Sequence, residues 1–367
     1  MNLDTVLDQN VKKIRDTAEQ LEKADQYPRN ISPGARHWNT VDVRDWTSGF
    51  WPGVLWYAYE HSKDEDIRLQ AERFTQAIAC IAQPPALDHD IGFMVYCSFG
   101  HAYRLTGNEL YKDICLQAAN TLATLYNPAV GTILSWPHEK ALQHNTIIDN
   151  MMNLELLFWA AKNGGPKILF DIANKHAETC MHTLVRPDFT TYHVAMFDPK
   201  DGHFIKGVTH QGYANLSLWA RGQGWGVYGY AMCYRETRNP IFLELSIKLL
   251  EVFLERLPKD RIPYWDFDDP SIPATPKDAS AAAIVACGML ELAVLLETSD
   301  KVSKYVDIAS SIIKTLCQAP YFSGETNQAL LLHSTGHHPK GTEIDVPIIY
   351  ADYYYMEALL RLKRLMP

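Results

Sequence analysis

Two kinds of helical stretch alternate along this chain, and that alternation restricts its fold more than any other feature. Apolar residues recur with helical period over about 47–62, 64–82, 90–106, 109–126, 147–163, 166–184, 219–237, 240–257, 278–297, 300–318 and 349–366. With an N-terminal stripe of Leu3, Val6, Leu7, Val11, Ile14, Ala18 and Leu21, about twelve helices result. The odd-numbered ones are amphipathic and charged, as in "DEDIRLQAERFTQAIACIA" and "KVSKYVDIASSIIKTLC". The even-numbered ones are apolar nearly all round and rich in small residues, as in "GFWPGVLWYAYE", "GWGVYGYAMCY" and "SAAAIVACGMLELAVLL". A helix that is apolar on every side is buried on every side. Six hairpins, each pairing an exposed helix with a buried one, predict an all-α toroid with an inner ring and an outer layer. An open solenoid is the competing arrangement, but it leaves an apolar face bare at each end. Short β-like pieces are expected at Gly131–Trp136, Tyr192–Phe197 and Ala329–His333.

No long linker or low-complexity segment interrupts the pattern, so residues 1–367 read as a single domain. The 47% hydrophobic content is enough for a large core. A net charge of −9 argues against a nucleic-acid partner. It does not exclude an anionic small substrate met by a local Arg/His cluster. No apolar run of about 18 residues predicts a membrane span. The opening "MNLDTVLDQNVKK" is an amphipathic helix rather than a signal peptide, which leaves cytoplasm and periplasm as the expected compartments. Cys80, Cys97, Cys115, Cys180, Cys233, Cys287 and Cys317 form no CxxC pair, and most read as buried free thiols. Oligomeric state is not readable from these residues.

The inner helices share one peculiarity: each begins with a polar or aromatic motif. In order these are "RDWTSGFW" (44–51), "DHDIGF" (88–93), "IIDNMMN" (147–153), "WARGQGWG" (219–226), "KDASAAA" (277–283) and "YADYYYMEAL" (350–359). Inner helices of a toroid run in the same direction, so these starts converge on one mouth. Asp45, Trp46, Asp88, His89, Asp90, Asp149, Arg221, Gln223, Trp225, Asp278 and Asp352 gather there. Aspartate before a helix is a favoured cap, which is the plain reading of Asp45, Asp278 and Asp352 and an available one for Asp90. Asp149 resists it. Two isoleucines precede this residue and two methionines follow Asn150, so its surroundings are apolar. Burial raises a carboxyl pKa, and a second carboxylate nearby raises it further.

Trp46, Trp136, Trp219, Trp225 and Trp265 fall in or near the loop-rich end, where indoles suit sugar rings as well as plain core packing. "THQG" (209–212) and "TYHVAMFDP" (191–199) put His210, Gln211 and His193 in connecting segments. "HSTGHHPKG" (333–341) spaces His333 and His337 by four, but Pro339 interrupts a helix there, and a loop closing over ligand is the better reading than a metal site. No Walker loop, GxSxG or HExxH occurs.

Taken together, "DWTSGFWPGVLW", "HDIGF", "IIDNMMNLELLFWA", "THQG", "WARGQGWGVYG", "YWDF", "SAAAIVACGMLEL" and "ADYYYMEALLRL" resemble the unsaturated glucuronyl hydrolases of glycoside hydrolase family 88, in the family's order and over nearly the whole chain. The resemblance implies an (α/α)6 barrel acting on oligosaccharides with a 4,5-unsaturated uronic acid at the non-reducing end. It implies Asp149 as general acid/base and Asp90 as its essential partner. It also implies that His193, Gln211, Arg221 and Trp225 contact the unsaturated sugar, with Trp46 and His89 lining the pocket. No metal or organic cofactor is implied.

The chemistry explains those residue types. The C4=C5 bond adjoins the ring oxygen, so protonation at C4 creates an oxocarbenium-like centre at C5. Water then adds at C5, and the hemiketal opens and expels the remaining sugar. One carboxyl must therefore give a proton to carbon and take one from water, which Asp149 does by cycling. Asp90, if ionised, would stabilise the developing positive charge and help keep Asp149 protonated. Because a double bond is hydrated, the carboxylate-separation rule for ordinary glycosidases does not apply. Arg221 or the His/Gln group is expected to hold the substrate carboxylate. Ser334, His337, His338 and Lys340, in the loop 331–347, are expected to meet a second sugar or its sulfate. Two rivals remain at this stage: an unsaturated rhamnogalacturonyl hydrolase (family 105) and a non-catalytic glycan-binding toroid.

Overall fold

The computed structural model describes residues 2–366 apart from 22, 24 and 297–299. The last residue of the 278–297 helical pattern therefore lies outside the described residues. Among the described residues twelve α-helices occupy the expected places: α1 (Leu3–Gln20), α2 (Phe50–Ser62), α3 (Glu65–Ala77), α4 (His101–Thr106), α5 (Glu109–Ala123), α6 (Asn150–Lys162), α7 (Ile168–Thr183), α8 (Ala220–Thr237), α9 (Pro240–Arg256), α10 (Ala279–Leu296), α11 (Lys301–Leu316) and α12 (Ile349–Leu365). The inner helix expected at 90–106 is α-helical only at its end. Gly92–Gly100 is π-helical and runs straight into α4.

The inner ring closes. α2 packs on the π segment, that on α6, then α8, α10 and α12 follow, and α12 returns to α2. Closure removes the bare apolar ends that an open solenoid would leave. Small residues permit the close approaches: a Cβ on Gly229 would lie 2.5 Å from that of Met151, and one on Gly92 only 2.4 Å from Asn153 Oδ1. Met151 and Asn153 belong to α6, so both contacts set its spacing in the ring. α10 is long and apolar enough to cross a bilayer, contrary to the sequence expectation, yet 83% of it is buried inside the barrel wall.

Outer helices α3, α5 and α9 begin with side-chain caps from Asp64, Asn108 and Asn239. Inner helices α2, α6, α8 and α12 begin without one, so no side-chain oxygen covers their positive dipole ends at the mouth. Beneath it, Phe50, Phe93, Trp225 and Tyr354 form a ring of aromatic contacts with centroids 5.3–6.1 Å apart. At the opposite end Arg361 bonds Glu291 at 2.5 Å and Glu357 at 2.8 Å, while Arg235 bonds Glu155, Glu236 and Glu291.

Strands sit in the connections: β1 (Tyr27–Asn30) with β2 (Asn39–Val41), β3 (Tyr126–Asn127) with β4 (Thr132–Ile133), and an antiparallel sheet of β5 (His144–Ile147), β6 (Val194–Phe197) and β7 (Phe204–Val208). The pieces expected at 131–136 and 192–197 appear as β4 and β6. The one at 329–333 reduces to an isolated bridge from Leu331 to Phe322.

Candidate active site

The β5–β6 register builds the centre of the mouth. Ile147 pairs with Val194, and the Ile148 N–H donates to the His193 carbonyl at 3.0 Å. That step sets His193 beside Asp149, which follows at the start of α6. Asp149 has helical φ and ψ (−57° and −31°) and caps nothing. The carboxylates of Asp45, Asp278 and Asp352 are by contrast consumed in structure. Asp45 accepts from Thr47 and Arg29, Asp278 from Ser280 and Arg221, and Asp352 from the N–H groups of Leu330 and Leu331. Asp90 lies just before the π segment but does not cap it; the Phe93 N–H is taken by Asn153 Oδ1 at 2.7 Å.

Asp149 and Asp90 are each 8% exposed. Burial pushes the Asp149 carboxyl up to about 7 against the downward pull of the Arg221 charge. Asp90 is also pushed well above the carboxylate range, by burial and then by the charges of Asp88 and Asp149. Burial thus favours a proton on each carboxyl, and at Asp90 the like charge of Asp88 adds to it.

Each carboxyl has a histidine whose tautomer is fixed. His193 Nδ1 accepts the N–H groups of His210 and Gln211, both at 3.1 Å. Its proton therefore sits on Nε2, 3.6 Å from Asp149 Oδ2. The Asn153 amide lies 3.3 Å from His89 Nδ1, and His89 Nε2 lies 3.5 Å from Asp90 Oδ2. Burial holds His89 down to about 3 and His193 well below its ordinary value, so both are neutral.

A cavity of about 370 Å³ opens over this centre. Trp46, Asp90, Asp149, Gln211 and Lys340 line it, with Trp136 and His210 on the same wall. His89, His193, Arg221 and Trp225 stand directly behind the wall, each no more than 3% exposed. The Arg221 guanidinium, 4.5 Å from the centroid of the Trp219 ring, gives its N–H groups to Asp278 and to the carbonyls of Thr335 and Gly336. Its donors hold a loop, and its charge reaches the cavity only as a field. Ser334 departs from the sequence expectation: it is fully buried, is not on the cavity wall, and pairs its backbone with Val346. His338 stacks on Trp265 at 4.1 Å and so faces away from the cavity's lining set. His333 pairs with Asp345 and His337 packs on His210. Wall residues that no motif revealed are Arg29, Glu139, Thr342 and Glu343.

Buried polar atoms without a partner concentrate here: Asp149 Oδ2, His89 Nε2, His193 Nε2, Trp225 Nε1, Trp219 Nε1 and His337 Nε2. Unpaired buried groups are costly, and a cluster of them around one cavity marks a ligand site.

An (α/α)6 barrel with a mouth of this kind is the architecture of a carbohydrate-active hydrolase. The chain belongs to Glycosyl Hydrolase Family 88, whose model matches residues 13–359. An unsaturated glucuronyl hydrolase from Formosa agariphila is 42% identical over 348 residues, covering 93% of this chain and 86% of that protein. The crystal structure of an unsaturated glucuronyl hydrolase specific for heparin is 40% identical, with a TM-score of 0.95 over 99% of this chain and 97% of the other. A Streptococcus agalactiae unsaturated glucuronyl hydrolase variant complexed with dGlcA-GalNAc6S is 29% identical, with a TM-score of 0.85 over 98% of this chain and 90% of that one.

Proposed function

We propose that this chain is an unsaturated glucuronyl hydrolase that releases the 4,5-unsaturated uronic acid from lyase-generated glycosaminoglycan oligosaccharides by hydrating the C4=C5 enol ether. One observation carries the reading. Asp149 Oδ2 is an unpartnered, buried carboxyl oxygen at the cavity wall, among N–H groups that also lack acceptors.

In this mechanism Asp149 is the proton donor. Asp90 shares the cavity wall and meets the Asn153 amide at 3.5 Å, while burial keeps a proton on Asp149 up to about pH 7. Asp149 delivers it to C4, and C5 becomes electron-poor with the ring oxygen's help. Water attacks C5 while Asp149 takes back a proton, so the carboxyl ends as it began. The hemiketal then opens and the aglycone leaves. His193, held as an Nε2–H donor, steadies Asp149 while it is charged. Trp46 and Trp136 provide indole faces for the sugar, and Gln211 offers an amide to its polar groups. The cationic field of Arg221 and the uncapped helix starts favour the substrate carboxylate in a chain of net charge −9.

Both rivals fare worse. The relatives reported above bear the glucuronyl name, not the rhamnogalacturonyl one. A purely binding toroid has no need of a carboxyl kept protonated near neutral pH. The test is loss of the ultraviolet absorbance of the conjugated double bond, using a panel of chondroitin, heparin and rhamnogalacturonan lyase products. Asp149→Asn should lower kcat by at least about 10²-fold while sugar still binds. Equal inactivity of wild type and variant on every unsaturated sugar, with binding retained, would favour the binding toroid.

A further inference from the structure

Residues 333–346 form a flap over the cavity. Ser334 pairs with Val346 and His337 with Thr342, and a 3-10 turn at His338–Lys340 makes the tip. Its outgoing strand is bolted down by Arg221 and by the Gln211 amide, which donates to the Gly336 carbonyl at 3.2 Å. The returning strand is held differently. Glu343 accepts from Arg29 Nε at 2.7 Å, Arg29 Nη2 at 2.8 Å and the Asn30 amide at 2.7 Å. Arg29 Nη1 donates to Asp45 at 2.8 Å, and its guanidinium lies 5.3 Å from the centroid of the Trp46 ring. Every guanidinium nitrogen of Arg29 is thus engaged, although the side chain lines the cavity.

Two further features mark this join as built. His333, Glu343 and Asp345 all take left-handed backbone conformations, with φ of 63°, 55° and 55°. Residues other than glycine adopt that region only when their surroundings enforce it. A Cβ on Gly336 would fall 2.5 Å from Glu343 Oε2, so the glycine leaves room for the glutamate to fold beneath the flap.

We infer that Glu343, acting through Arg29 and Asn30, is a positioning residue that locks the flap to the Asp45–Trp46 turn and thereby sets affinity for the sugar beyond the unsaturated one. The lock joins three wall segments: β1, the turn that carries Trp46, and the flap that carries His337 and Lys340. It lies outside the carboxyl pair, so its loss loosens the wall and leaves proton transfer in place. The inference rests on the glycosidase reading above, and one of its tests does not need catalysis.

Kinetics should be compared on an unsaturated disaccharide and on the methyl glycoside of unsaturated glucuronate, which lacks the second sugar. Glu343→Gln is expected to raise KM for the disaccharide about tenfold with kcat within about threefold, and to raise KM for the methyl glycoside by under about threefold. Arg29→Met should give the same pattern, and the double variant should be no worse than the poorer single one. Asn30→Ala removes the amide arm to Glu343, along with the bond that Asn30 Oδ1 accepts from Asn39, and gives a smaller shift of the same kind if either charged variant folds poorly. Independently of catalysis, the Gly336, His337 and Thr342 amides should exchange with solvent faster in Glu343→Gln and Asn30→Ala. Unchanged disaccharide KM with unchanged exchange would overturn the inference, as would equal losses on both substrates driven by kcat. A wild type inactive on all unsaturated sugars would sink the glycosidase reading alone, since amide exchange would still decide whether the lock exists.

Discussion

Replacing Asp149 by Asn should inactivate the protein and stabilise it, and the stabilisation should depend on pH. The carboxyl moves from an ordinary 3.8 to about 7 on folding. A group raised in this way is tolerated while protonated, so the folded state binds more protons than the unfolded one between those values. Stability is therefore full at low pH and is lost as pH climbs through about 7. At roughly 1.4 kcal/mol per pKa unit the full cost approaches about 4 kcal/mol above that point and about 1.5 kcal/mol near pH 5. Asparagine cannot ionise, and Asp149 makes no cap bond to lose. For 367 residues at roughly 2 cal/mol/K each, the variant should melt about 5 °C higher than wild type near pH 8 but only about 2 °C higher near pH 5. Thermal denaturation across that range reads the gap directly. A gap that stays constant with pH, or a variant less stable near pH 8, would refute the assignment of a buried, raised carboxyl.

Three further outcomes are expected. Activity should fall as pH rises through about 7, because the proton needed at C4 is then lost from Asp149; a rate still climbing at pH 9 would contradict this. His193→Ala should lower kcat by about 10-fold or more with little change in KM, and a change confined to KM would instead make His193 a sugar ligand. Arg361→Met, at the far end of the barrel, leaves Glu357 without its cation and Glu291 with Arg235 alone, and should cost about 3 kcal/mol. Its kcat per folded molecule should stay near wild type, since the aromatic floor separates that end from the mouth.

The barrel was legible because it rests on local periodicity. Helices apolar on every side have only one kind of place to go, and their polar first turns named the mouth. Trp46, Asp90 and Asp149 reach the wall from that reasoning, and Gln211 and Lys340 from the loop motifs. The π-helical stretch was hidden because it depends on a contact from another helix, where Asn153 takes the Phe93 N–H. The short sheet was only partly visible, since β5 and β6 pair across about fifty residues and β5 takes Ile147, the first residue expected in α6. Ser334 looked accessible in a Gly- and His-rich loop, but the bridge to Val346 turns it inward. Arg29 and Glu343 lie 314 positions apart in no shared motif, so only the folded chain brings them together. Tautomers of His89 and His193 likewise follow from backbone and amide donors that no spacing rule encodes.

The central claim is that Asp149 protonates C4 of an unsaturated uronic acid and that water then adds at C5. Turnover in D2O tests it most directly, with the released uronic acid examined by NMR. Hydration of the double bond predicts that, early in turnover, the wild-type product carries solvent deuterium on a single face of C4, and that Asp149→Asn does not turn over. Ordinary attack at the glycosidic carbon would first release the ring sugar with its double bond intact, which then takes deuterium on both faces of C4 as it opens in solution; that pattern would contradict the account.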